Sequence, residues 1–262
     1  MARDYGPTFQ IVFLFHQDLS LLRRTMPRCL SALTGNTSET FEVVLHCDGT
    51  PPEIAAQLPS LLPEWGIDEL RIRRRTGVLA AGDPSNNGHQ RFFATAAKYL
   101  IAIEDDVVMY RTSGIFDVLR ECRELFESHP DVLAIGKVDD YACWSWKLED
   151  LGPPIEPGVR SVNRISTHFL GYDVQRFNWT AGRFGAFMPD VFIDRSDLSY
   201  NWEDLVSHVG ATGNRRLAFP EGWPLHVFHC DEKVAPDSMY HTQKPAVKAR
   251  ILDELESRFA TG

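Results

Sequence analysis

The sequence predicts an α/β fold, a mostly parallel sheet flanked by helices. Three features carry that expectation. A continuous β-branched and aromatic run, Phe9–Phe15, reads as a strand buried on both faces, and residues 41–47 read as a second strand. Stretches with apolar residues at helical spacing separate them, the alternation that builds parallel sheets. Polar residues then collect at strand ends, at His16, Asp48 and Glu104-Asp105-Asp106, and open α/β sheets bind ligands beyond that carboxyl edge.

Taken in order, Gly6-Pro7 leads into the first strand and His16-Gln17-Asp18 closes it. Asp18 or Ser20 is a suitable cap for a helix over about residues 21–33, where Leu22, Met26, Leu30 and Leu33 recur at helical spacing and Gly35 is the stop. The second strand, residues 41–47, ends in Asp48-Gly49-Thr50-Pro51-Pro52, and a helix is expected over roughly 52–62. Leu70-Arg71-Ile72-Arg73 alternates apolar with basic residues, as a strand nearer an edge does. A loop over 77–88, rich in Gly, Asn and Pro, and a helical stretch over about 89–98 lead into Tyr99-Leu100-Ile101-Ala102-Ile103.

Three acids follow that apolar run directly, and a second apolar run follows them. Like charges beside a low-dielectric core repel one another and lose hydration, and a bound cation is the cheapest way to keep them ionised. If the strand continued through them, its period would place Glu104 and Asp106 on one side and Asp105 on the other. An acidic turn closing a strand is the simpler alternative.

Beyond this point residues 113–128 describe an amphipathic helix and Val132-Leu133-Ala134-Ile135-Gly136 a strand. Residues 139–178 are rich in Gly, Pro and aromatic side chains with little periodicity, as in a loop-rich segment that covers or lines a site. Phe184-Gly185-Ala186-Phe187-Met188 reads as a strand or short turn. Asn201-Trp202-Glu203-Asp204 opens a helix with acids in its first turn, where the dipole favours them. Two short strands flank Gly222-Trp223-Pro224, and Val247, Ile251, Leu255 and Phe259 mark a closing helix.

Composition narrows the function. With 44% hydrophobic and 24% charged residues the chain is an ordinary globular protein, and its formal net charge of -9 argues against nucleic acid as a partner. The local basic cluster Arg71, Arg73, Arg74 and Arg75 suits a solvated strand edge or a phosphate pocket. Five widely spaced cysteines, with no C-x-x-C pair, indicate reduced thiols and neither a disulfide framework nor a zinc site. No apolar run reaches membrane-spanning length and none reads as a secretory signal, so a cytoplasmic location is expected and the sequons at Asn36 and Asn178 read as chance. One domain, 1–262, is the economical description.

The order of these signals resembles a GT-A glycosyltransferase and, within that fold, the family-two group. The residues that carry the resemblance are Asp48, Asn87-Gly88 with Arg91, Glu104-Asp105-Asp106, Glu203-Asp204, Pro220-Glu221 and His229, in order over about residues 9–230. It implies a transferase that takes a nucleotide-diphosphate sugar and a divalent cation, Mn²⁺ or Mg²⁺. Residues from about 9 to 135 would form the nucleotide-sugar half and 136–262 the acceptor-binding and catalytic half. On that resemblance His16, Asp48, Arg91, Glu104 and Asp105 bind the donor, with Asp48 on the base. Asp106 ligates the cation, Glu104 reaches it directly or through water, and His229 is a further ligand, with His226 as its competitor for that role. Asp204 is the general base on the acceptor hydroxyl and Glu203 orients it, giving inversion. The acceptor is expected to be a small molecule, such as a natural product, or a glycan. Retention of configuration, a sugar nucleotidyltransferase and a non-catalytic nucleotide-sugar binder remain the alternatives; the first strand lacks the Gly-rich phosphate loop a nucleotidyltransferase would carry there.

Overall fold

A computed structural model of the chain describes residues 6–48, 50–73, 95–139, 151–165, 168–183, 210–211, 213–230 and 237–259. Its first half alternates as expected: β1 (Phe9–Phe15), α1 (Leu19–Thr34), β2 (Phe41–Asp48), β3 (Glu69–Arg73) and β4 (Tyr99–Glu104). β1 lies between β2 and β4 and runs parallel to both, with Phe9 beside Phe41 and Tyr99, and β3 takes the edge beside β2. The apolar run of β1 is buried almost throughout because it is central, with strands on both sides and layers above and below. At the edge, Arg71 turns back to Glu69 at 2.6 Å, the solvated arrangement; Arg74 and Arg75 lie outside the described residues.

Local chemistry sets the helix ends. The Asp18 side chain accepts from the Leu21 N–H at 3.0 Å and starts α1. The expected helix over 52–62 is instead three short turns, α2 (Pro52–Ala55), a 3₁₀ turn (Leu58–Ser60) and α3 (Leu62–Trp65). Pro59 and Pro63 interrupt the ladder, since each lacks an N–H and crowds the preceding turn. Gly66, at φ +64, ends α3 in the left-handed conformation that glycine adopts without strain.

The second half departs further from expectation. β5 (Val107–Arg111) leaves the central sheet, α4 (Val118–Ser128) starts at Asp117, and β6 (Val132–Gly136) follows. The aromatic segment, read above as loop-rich, contains β7 (Leu151–Glu156), β8 (Val159–Val162), β9 (Phe169–Asp173) and the start of α5 (Val174–Arg183). Phe169, Tyr172 and Phe177 are core residues there. β9 is a short stretch, Phe169–Asp173, with Gly171 at its centre, so it offers neither alternation nor a long apolar run to mark it as a strand. β10 (Arg216–Phe219), β11 (Leu225–His229) and α6 (Asp237–Phe259) complete the described elements.

Among the described residues the large sheet has nine strands in the order β3-β2-β1-β4-β9-β6-β10-β8-β7. β9 is antiparallel to both neighbours, β10 is parallel to β6, and β8 is antiparallel to β10 and β7, so only β9 and β8 oppose the common direction. Residues from both halves thus share one core. β5 and β11 form a separate two-stranded antiparallel ribbon. It packs between α1 and α6 through Leu21, Val108, Phe228, Ile251, Leu252 and Leu255.

Cys29, Cys47, Cys122 and Cys230 are buried free thiols, and Cys143 lies outside the described residues. Burial pushes the Cys47 thiol up to about 12, which keeps it protonated and unreactive. Asn178-Trp179-Thr180 is inside α5, with Thr180 fully buried and its hydroxyl donating to the Arg176 carbonyl at 2.8 Å. No helix among the described residues is long and apolar enough to cross a membrane.

Candidate metal centre

β4 stops at Glu104, and Asp105 and Asp106 form the turn by which the chain leaves the central sheet for the β5–β11 ribbon. Strand alternation therefore does not continue through the acids, and the expected pairing of Glu104 with Asp106 on one strand face is replaced by turn geometry. α1 holds this turn from behind. The Thr25 hydroxyl donates to the Asp105 carbonyl at 2.8 Å, and the Cys29 thiol to the Val107 carbonyl at 3.3 Å. From the end of β1, the His16 N–H donates to Asp105 Oδ2 at 3.1 Å.

Two histidines arrive from elsewhere in the sequence. β11 pairs antiparallel with β5 so that His229 faces Val107, and the Cys230 N–H donates to the Asp106 carbonyl at 2.7 Å. That registry carries His229 Nε2 to 3.2 Å from Asp106 Oδ2. His168 precedes β9, whose antiparallel pairing with β4 places its first residue beside the last residues of β4, and the Glu104 N–H donates to the His168 carbonyl at 3.2 Å. The His168 ring then lies 3.8 Å from that of His229, centroid to centroid, and its Nε2 is 3.7 Å from Glu104 Oε2.

Glu104, His168 and His229 each offer a ligand atom, and the three atoms lie within 4.8 Å of one another. The Asp106 carboxylate adjoins them: the residue is buried, and its Oδ1 is without a hydrogen-bond partner. Its Oδ2 accepts from Lys248 of α6 as well as lying beside His229. Two imidazoles, two carboxylates and an orphaned buried oxygen fit a divalent cation.

Electrostatics separate the two aspartates. Burial alone would hinder ionisation of Asp106, but His229 and the Lys248 ammonium outweigh it and hold the carboxyl well below the usual range. For Asp105 the balance is reversed, since Lys248 and the His16 N–H lower it by less than its burial and the Asp106 charge raise it. Burial, and then the charge of Asp106, push it up to about 7. His229 is shifted down, first by burial and then by His168.

The remaining expected site residues are distributed as follows. Asp48 is the last residue of β2, on the same carboxyl edge as His16 and Glu104 and in register with Arg73. Arg91, Glu203, Asp204 and Asn87-Gly88 lie outside the described residues. Pro220 follows β10, and its carbonyl accepts from the buried Lys137 ammonium at 3.2 Å. His226 lies on the other face of β11, where it stacks on Phe228 with centroids 5.9 Å apart, and is not in the cluster. His168 and Lys248 were not among the expected site residues. For Lys248 there was a signal, a lysine just after Val247 and three before Ile251 in the apolar stripe of α6. For His168 there was none, because its place depends on β9 entering beside β4.

No protein-family model matches the sequence, and no curated protein does. Solved structures of similar fold include the following two. GalNAc-T7, in a structure with UDP, GalNAc and Mn²⁺, aligns over 85% of this chain and 44% of its own, at 13% identity and a TM-score of 0.53. S. aureus TarS aligns over 94% of this chain and 42% of its own, at 13% identity and a TM-score of 0.51. The chain therefore spans less than half the length of either. The parallel β1–β4 unit, the inserted antiparallel β9 and the side ribbon carrying the acidic turn together give this chain a GT-A fold.

Proposed function

We propose that the protein is a metal-dependent glycosyltransferase that moves a sugar from a nucleotide-diphosphate donor to an acceptor hydroxyl. The observation that carries this reading is the convergence of Glu104, Asp106, His168 and His229 at the carboxyl edge of the parallel strands of a GT-A fold. GalNAc-T7, with UDP and Mn²⁺, adds support from a chain of similar fold.

In this reading Asp106, Glu104, His229 and His168 hold the cation. Two imidazoles in the donor set favour Mn²⁺ over Mg²⁺, which takes oxygen ligands almost by rule. The cation supplies charge neutralisation for the departing nucleotide diphosphate. Asp48 and the backbone around His16 line the donor side, Asp105 faces the donor from the same turn, and Arg91 joins them. Asp204 takes the proton from the acceptor hydroxyl as it attacks, with Glu203 orienting it, and inversion follows from attack opposite the leaving group. A small natural product or glycan is the acceptor, and 1–262 works as one unit with its donor half before about residue 135.

The test is a thermal-shift and calorimetric screen of UDP-, GDP- and TDP-sugars with and without Mn²⁺. Metal-assisted binding of one donor class is the expected result. Absence of binding for every donor in both conditions refutes the reading. Asp204→Asn is expected to retain donor binding and lose turnover by a factor of about 10² or more; retained turnover would remove the base from that residue.

A further inference from the structure

We propose that Lys248 is the resident cation of the acidic turn, and that a divalent metal loads by displacing it from Asp106. The inference rests on the metal-dependent reading above and assigns a role to a residue of the last helix.

The Lys248 ammonium is bonded to Asp106 Oδ2, and the two side chains are only 12% and 7% exposed. A carboxylate at that depth needs a counter-charge to remain ionised, and in this structure the lysine provides it. The other oxygen, Oδ1, is buried with no partner, so Lys248 engages one of the two carboxylate oxygens and leaves the second open. A divalent ion on Glu104, His168, His229 and Asp106 would sit against the same carboxylate. Two cations a few ångström apart in a poorly hydrated site repel strongly, so the lysine and the metal are alternative occupants.

α6 is built for an exchange that leaves the helix in place. Its later turns are anchored to α1, with Arg24 2.6 Å from Asp253 and 3.1 Å from Glu256, and Arg28 3.1 Å from Glu256. Ile251, Leu252 and Leu255 fix the same stretch to the ribbon. Lys248 lies just before these anchors, and its four-carbon stem lets the ammonium swing out while the backbone stays docked. The arrangement keeps Asp106 ionised and the turn folded when no metal is bound.

The experiment titrates Mn²⁺ alone into the full chain, by calorimetry and by the electron paramagnetic resonance signal of free Mn²⁺. Lys248→Gln, which removes the competing charge, is expected to lower the Mn²⁺ Kd by about tenfold or more, while Lys248→Arg does not. The melting temperature of Lys248→Gln is expected to fall in chelator and to rise with Mn²⁺ by more than that of the wild type. In the wild type itself, acetylation of Lys248 by an amine reagent, read by mass spectrometry, is expected to increase at saturating Mn²⁺; this keeps the test independent of how the variant folds. Equal Mn²⁺ affinity in the wild type and Lys248→Gln, with unchanged labelling, overturns the exchange and leaves the metal reading standing. Absence of Mn²⁺ binding in both chains overturns the two together.

Discussion

Replacing His168 with Gln separates a histidine that belongs to the metal centre from one that only fills space. The imidazole is buried, its Nε2 is 3.7 Å from Glu104 Oε2, and its ring is 3.8 Å from that of His229. Changing a residue that only orients a metal ligand costs about 10- to 100-fold in affinity. A direct donor among four belongs at the upper end, about 100-fold, or about 2.8 kcal/mol at 1.4 kcal/mol per tenfold. Gln keeps a polar, hydrogen-bonding side chain of similar reach, so the change reports on ligation more than on a cavity. Calorimetric titration of Mn²⁺ measures it, with the melting temperature in chelator as the check on folding. His226→Gln is the matched control, since that ring stacks on Phe228 and lies 3.7 Å from Asp139; its Mn²⁺ affinity is expected to stay within about twofold of wild type. A His168→Gln chain that binds Mn²⁺ as the wild type does, or a His226→Gln loss as large as the His168→Gln loss, refutes the assignment of donors.

Arg176 donates to the Val132 carbonyl at 2.6 Å and the Phe126 carbonyl at 3.1 Å, tying the end of α4 to the start of β6. Arg176→Met is expected to lower unfolding free energy by about 2–4 kcal/mol in urea titration. Two glycines should respond oppositely to alanine. At Gly171 a Cβ would meet Ile101 Cγ1 at 3.8 Å and Ile135 Cβ at 3.9 Å, so the change is expected to stabilise by about 0.5–1 kcal/mol. At Gly222 it would lie 2.8 Å from the Gly158 Cα, which is backbone, so a loss of about 1–3 kcal/mol is expected in the same assay. The Arg216 guanidinium bonded to Asp131 holds that carboxyl below its ordinary 3.8. A depressed folded pKa means stability that is present above about pH 4 and lost as pH falls through the folded value. Asp131→Asn is therefore expected to flatten the acid limb of a urea-midpoint against pH curve below pH 4, and an unchanged limb would place the effect elsewhere.

The elements that could be read in the sequence share a property: burial on both faces writes itself locally. β1 and β4 are near-continuous apolar runs because each is central, and α1 is legible because Asp18 caps it and one stripe of it is apolar. The helix expected over 52–62 was misread because its periodicity survives although Pro59 and Pro63 break the hydrogen bonds. The strands within 139–178 were missed because aromatic residues in a Gly- and Pro-rich stretch resemble a loop until a partner strand is known.

What the sequence determined by itself is that three acids end a buried strand and must be reconciled with a low-dielectric surrounding, since both facts depend only on neighbours along the chain. Which groups do the reconciling was decided by tertiary structure. The antiparallel entry of β9 beside β4 brings His168, the registry of β11 with β5 brings His229, and the docking of α6 brings Lys248 from 142 residues beyond Asp106. Charges act through space, so the partners of a carboxylate follow from strand order and helix placement, and no window along the chain contains them.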